Sequence, residues 1–119
     1  MINFLLVLTA RLLFLLLAPL NFIYVNFCKK RFNWKRLSGY FRDEAVAIDR
    51  FGNFQYRGLL NKLLVKTGGY EHGKFAETIS SVLGKNQRDN TLTKFGNLIA
   101  SLLDKIDKDH CKNSINLDV

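Results

Sequence analysis

The apolar positions of this chain follow two regimes. From residue 2 to residue 28 they are nearly continuous: INFLLVLTARLLFLLLAPLNFIYVNFC holds 21 apolar residues in 27. From residue 29 onward they fall to 35 of 91 positions and recur at helical spacing. Phe41, Ala45, Ile48 and Phe51 share one face of a helix over 40–51, with Ser38 as its expected N-cap. Gly52 and Asn53 punctuate the run. Tyr56, Leu59, Leu60, Leu63 and Leu64 then form a second stripe that Gly68 and Gly69 bring to a stop, so that 40–66 is either one bent helix or two. After a glycine-rich turn over 67–77, Thr78 is placed to cap a short helix ending near Leu83 and Gly84. KNQRDN at 85–90 reads as a polar loop, and Thr91 as the cap of the clearest helix. There Leu92, Phe95, Leu98, Ile99, Leu102, Leu103 and Ile106 repeat at i, i+3, i+4, i+7. No alternating strand pattern and no internal repeat occur. The expected fold is all-α: an N-terminal transmembrane or interfacial helix (1–28), a basic connector (29–37) and a small helical domain of three to four helices (38–119).

A helix over 2–28 would be about 40 Å long, enough for a hydrocarbon core of ~30 Å. Lys29, Lys30, Arg31, Lys35 and Arg36 follow it directly, an interfacial basic cluster that holds the C-terminal part on the cytoplasmic side and sends the N-terminus outward. Tyr24 suits the headgroup level, and Trp34 suits either that level or packing on the domain. In a cleaved signal peptide the positive charges would precede the apolar run instead. Arg11 is the objection to a simple span. A central Arg costs about 2.5–3.5 kcal/mol on insertion scales, while each Leu returns about 0.3–0.6. Many leucines outweigh it, and Arg11 is close enough to the N-terminal end to snorkel. A helix lying in the interface, with Pro19 as a kink, is the other solution.

Net charge changes the picture only locally. The chain carries +8, with 14 basic against 6 acidic residues in 29–94. Next to an apolar segment this points to anionic lipid headgroups as a partner. Nucleic acid is the rival partner, but Arg50, Arg57, Lys62, Lys66, Lys74, Lys85 and Arg88 are dispersed, and no nucleic-acid-binding motif accompanies them. Cys28 and Cys111 form no disulfide framework and suit a reducing compartment.

Candidate chemistry is sparse. His110 and Cys111 are adjacent, so their side chains diverge, which does not suit a nucleophile and its base. Asp104, Asp107, His110 and Cys111 could gather around a metal only without any familiar ligand spacing. The expected roles are structural: Asp107 and His110 at free backbone ends, and Cys111 in the core near Leu103, Ile106 and Ile115. GGYEHGK at 68–74 lacks the spacing of a phosphate-binding loop. Glu77, Thr78, Ser80 and Ser81 read as capping, with Thr78 and Ser81 at N-cap and N3 and Glu77 near the positive helix end. Asp49 and Asn53, with Arg50, read as a buried polar bridge to another helix. No catalytic residue, metal or cofactor is expected.

From Tyr40 to Ile115 the chain resembles a family of small proteins encoded by tailed phages and prophages. The motifs are AIDRFGN at 47–53, LLNKLL at 59–64, GGYEHGKFAETISSVLGK at 68–85 and LDKIDKDHCKNSI at 103–115. The leader with APLN at 18–21 is similar to the Bacteroidetes-phage branch. The resemblance implies a phage or prophage origin and a helical fold, and it carries over no catalytic role. The expected protein sits in the host inner membrane and acts by binding, with a partner in that membrane or in phage assembly or lysis. The alternative is a cytoplasmic or virion-associated accessory protein that contacts nucleic acid.

Overall fold

The computed structural model describes residues 1–29 and 31–118. Lys30 of the basic cluster therefore lies outside the described residues. The described chain is all-α: six helices, with no strand among the described residues beyond an isolated antiparallel bridge between Val65 and Leu92. It divides into two compact units, Met1–Glu44 and Ala45–Val119.

In the first unit, α1 runs over Ile2–Ile23 with Pro19 inside it and continues as a π-helical turn, Tyr24–Cys28. Ile2–Cys28 is long and apolar enough to cross a membrane, and none of its apolar window is buried. Its last carbonyls are met by Arg36, whose guanidinium donates to Val25 O at 3.1 Å and Asn26 O at 3.0 Å. Arg36 thus caps a helix end, where a cation is favoured, while Lys29, Arg31 and Lys35 are exposed. The start of α2 (Trp34–Gln55) packs on the end of α1. Phe22 stacks on Phe41 and meets Tyr40 edge-on, and Phe32 lies between Phe27 and Trp34. Ser38 is not the cap of α2. Asn33 is, its Oδ1 accepting from Lys35 N at 2.7 Å, and Ser38 lies inside the helix.

α2 passes through Gly52 and Asn53 without breaking. Gly52 is a close approach, since a Cβ there would sit 3.2 Å from Ile79 Cδ1. The chain bends instead at Tyr56, and α3 spans Arg57–Leu64, ending ahead of the glycine pair. The Val65–Leu92 bridge follows, tied by Lys66 N to Thr91 O at 2.8 Å and Thr93 N to Leu64 O at 3.0 Å.

Thr78 caps α4, but the helix runs over Ile79–Asp89, well beyond Gly84, and ends at Asn90 in the left-handed region. KNQRDN is therefore mostly its last turns. Gly84 is a packing position: a Cβ there would run into Cys111 O and sit 2.8 Å from Ile115 Cγ1. Since the obstacle is backbone, Gly84→Ala should destabilise the domain by about 1–3 kcal/mol or more, read as a fall in the urea midpoint of the detergent-solubilised protein.

Thr93, not Thr91, caps α5 (Lys94–Ile106), its hydroxyl accepting from Gly96 N at 3.0 Å. The last helix, α6, is a single turn, His110–Asn113, entered through Asp109 at φ 56°. The core gathers Leu64, Val65, Leu83, Leu92, Ala100 and Cys111, flanked by Leu60, Ile79, Ile99 and Leu103. The packed side of α5 is made by its small residues Gly96 and Ala100 with Ile99 and Leu103. Leu98 is 54% and Leu102 48% exposed, so neither is a core residue, contrary to the periodicity. Leu98→Ala and Leu102→Ala should each change unfolding free energy by less than ~0.5 kcal/mol in neutral detergent. Losses of about 2–5 kcal/mol, as for buried leucines, would contradict this placement.

Candidate functional site

The sequence-predicted polar residues of the second unit converge on α4, in two connected groups. The first surrounds its N-terminus. Asp49 of α2 accepts from Ile79 N at 2.7 Å and from Ser80 Oγ at 3.0 Å, while Thr78 Oγ1 accepts from Ser81 N at 3.0 Å. Two of the free N–H groups that every helix start leaves are thus met by side chains. On the other side of Ser80, His110 Nε2 lies 3.1 Å from its Oγ, and His110 Nδ1 lies 3.1 Å from Asp107 Oδ2. His110 therefore bridges α6 to α4 with its ring, where the sequence suggested that it donates to free backbone carbonyls.

The Ser80–His110–Asp107 order invites comparison with a nucleophile relay. Its surroundings are those of a clamp. Ser80 is 3% exposed and shares its hydroxyl with Asp49, and the N–H groups of Ile79 and Ser81 are already engaged. The array joins α2, α4 and α6 through one hydroxyl.

Asp104 stands at the end of the same region. It accepts from Cys111 N and from Gln87 Nε2, each at 3.0 Å. Burial works against its charge, but these donors hold the carboxyl below the usual range. Cys111 is fully buried with its Sγ toward Ala100 O, and burial, with Asp104 nearby, pushes its thiol up to about 12. Such a thiol has little thiolate character at neutral pH. Among the described residues, no group of three His, Cys, Asp or Glu side chains is arranged to hold a metal ion.

The second group encloses Glu77, which is 1% exposed. Its carboxylate pairs with Lys85 Nζ at 2.6 Å and accepts from Ser81 Oγ at 2.6 Å and Tyr70 OH at 2.9 Å. Lys85 also lies over the Tyr70 ring, 4.3 Å from its centroid. Burial disfavours its charge, yet Glu77 and Tyr70 outweigh that and raise its pKa. Lys85 is thus a buried ion-pair member, not part of a solvated basic surface. The sequence held a signal for this. Residues 77, 81 and 85 are spaced by four and share a face, but only if the helix continues past Gly84.

Three asparagines hold the glycine-rich segment against these helices. Asn86 uses its whole amide: Oδ1 accepts from Tyr70 N and Thr91 Oγ1, and Nδ2 donates to Tyr70 O and Val82 O. Asn61 exchanges two bonds with the backbone of His72. Asn53 Nδ2 donates to Lys74 O at 2.9 Å, which leaves its Oδ1 to accept from His72 Nδ1 at 2.8 Å. A loop pressed against a core needs such partners for its backbone. Asn61, Tyr70 and His72 lie within the motifs of the resemblance and Asn86 just beyond one, but sequence reasoning gave none of the four a role of its own. His72 Nε2 is buried without a partner.

Comparison with protein-family models, curated proteins and solved structures finds no match.

Proposed function

We propose that this is a membrane-anchored protein of phage or prophage origin that acts by binding rather than by catalysis. Its apolar helix spans the host inner membrane once, with the N-terminus outside and the second unit in the cytoplasm. The observation that carries the anchorage is Ile2–Cys28 itself, an apolar helix whose spanning window finds no cover inside the fold. In water that surface is unfavourable, whereas a bilayer accepts an apolar helix whose backbone bonds are made internally. Exposed Lys29, Arg31 and Lys35 at its C-terminal end support the orientation. The phage origin rests on the motif resemblance. Binding is favoured over catalysis because the polar groups around α4 are bonded to one another inside the fold. The partner would be a host inner-membrane protein or a component of phage assembly or lysis.

Contact with nucleic acid has less support. Of the dispersed cations, Lys85 is buried against Glu77, Arg88 pairs with Asp89, and Arg57 lies over the Phe54 ring. The tagged protein should stay in the membrane pellet through carbonate and leave it only in detergent. A C-terminal reporter should read cytoplasmic. Recovery in the carbonate-soluble fraction would reject anchorage, and a periplasmic signal would reject the orientation.

A further inference from the structure

Helix α5 carries two apolar faces, and only one of them is covered. At about 100° per residue, Gly96, Ala100 and Leu103 make the packed face, while Phe95, Leu98, Leu102 and Ile106 form an adjoining stripe. These four are 49%, 54%, 48% and 84% exposed. Lys94 and Lys105, both exposed, run along the free edge of that stripe. The helix has one acidic residue, Asp104, which lies on another side and is bonded to Cys111 N and Gln87. Asp107, just past the helix end, is turned to His110. The neighbouring α3, whose Leu64 carbonyl lies against Gly96, repeats the arrangement with exposed Leu59 and Leu63 beside Lys62.

From this geometry we infer that α5 is a second membrane contact, lying in the plane of an anionic lipid surface with Phe95, Leu98, Leu102 and Ile106 entering the acyl boundary. A helix of this kind presents an apolar stripe edged by cations, which lipid phosphates accept while the acyl chains accept the stripe. The edge charge is what selects lipid over a second copy of the chain. An isologous pairing would set the same lysine-edged stripe against itself, with no acidic edge to receive the lysines. The inference rests on the anchorage proposed above. With α1 inserted in the same bilayer, docking of α5 becomes intramolecular, and a surface too weak to bind membranes alone suffices.

The test uses the full chain in a Cys28→Ser background, spin-labelled through Leu98→Cys or, on the polar side, Asn97→Cys. It is reconstituted in vesicles of phosphatidylcholine with or without phosphatidylglycerol, and carbonate resistance is measured on the same samples. In the anionic vesicles the label at 98 should collide more with oxygen than with a nickel chelate, and the label at 97 the reverse. Adding Lys94→Glu and Lys105→Glu should restore nickel access at 98. A label at 98 as open to nickel as that at 97, in carbonate-resistant protein, would overturn the lipid contact and leave the anchor intact. Shielding from both probes would mean that protein covers the stripe, and would also overturn it. Carbonate release with a label at 98 still buried in anionic lipid would support this contact and remove the anchor, whereas failure to associate with either vesicle would reject both.

Discussion

Replacing Glu77 with Leu is expected to destabilise the second unit by about 3–5 kcal/mol, because it strands the Lys85 ammonium in a site where the pair is closed to solvent. For a domain this small that is a large share of its total stability. Lys85→Met should cost a similar amount by leaving the carboxylate with only the Ser81 and Tyr70 hydroxyls. The double variant Glu77→Leu with Lys85→Met removes both charges together. It should recover much of the loss, since apolar replacement of a buried pair is often neutral or stabilising. Urea unfolding of the four proteins in neutral detergent, followed by circular dichroism, gives the coupling between the two residues. Additive single costs would show that the pair is not an energetic unit.

Stability should also fall steeply with mild acid, through His72. Burial depresses its pKa from 6.5 to about 4, the Glu77 carboxylate opposing only in part. The geometry gives the reason. Asn53 fixes the proton on Nδ1, and protonating Nε2 would create a buried N–H with no acceptor. The unfolded chain takes up a proton as pH drops below about 6.5, while the folded chain resists until about 4. The stabilisation is therefore complete above pH 6.5 and is lost between pH 6.5 and pH 4, about 3 kcal/mol across the window. Most of that window lies above the range where carboxylates titrate. Unfolding free energies at pH 7 and pH 5 should thus differ in the parent and much less in His72→Asn, which retains a donor toward Asn53. The imidazole resonances of His72 should show no titration above pH 5. A mid-point near 6.5 in the folded protein would refute the assignment.

Legibility from sequence varied with the range of the interaction. Thr78 was readable as a cap because a hydroxyl and the N–H three residues on lie within one turn. Of the inward polar bridge read at Asp49, Arg50 and Asn53, the structure turns Asp49 and Asn53 inward and leaves Arg50 exposed, and the partners Ile79, Ser80 and His72 were not readable. Gly84 was misread as a stop. A glycine in a helical pattern marks either an end or a close approach, and only the Cys111 carbonyl across from it decides between them. Reading the helix as stopped there turned Lys85 and Asn86 into loop residues and hid the register of Glu77, Ser81 and Lys85. Thr91 and Thr93 were both eligible caps. The choice fell to Thr93 because Leu92 is drawn into the bridge with Val65 and is 2% exposed.

The order of residues by itself determined the all-α class, the apolar helix with its basic border, the turn at the glycine-rich segment and the cap at Thr78. Each follows from neighbours within a few positions, where propensity, spacing and capping act. Tertiary structure alone decided that α5 is covered on its glycine–alanine side, that Glu77 and Lys85 are a buried pair and that His72 is held neutral. An apolar stripe records that a helix has a face to cover, not what covers it. A carboxylate or an imidazole acquires its electrostatic character from groups that the fold brings to it from distant parts of the chain.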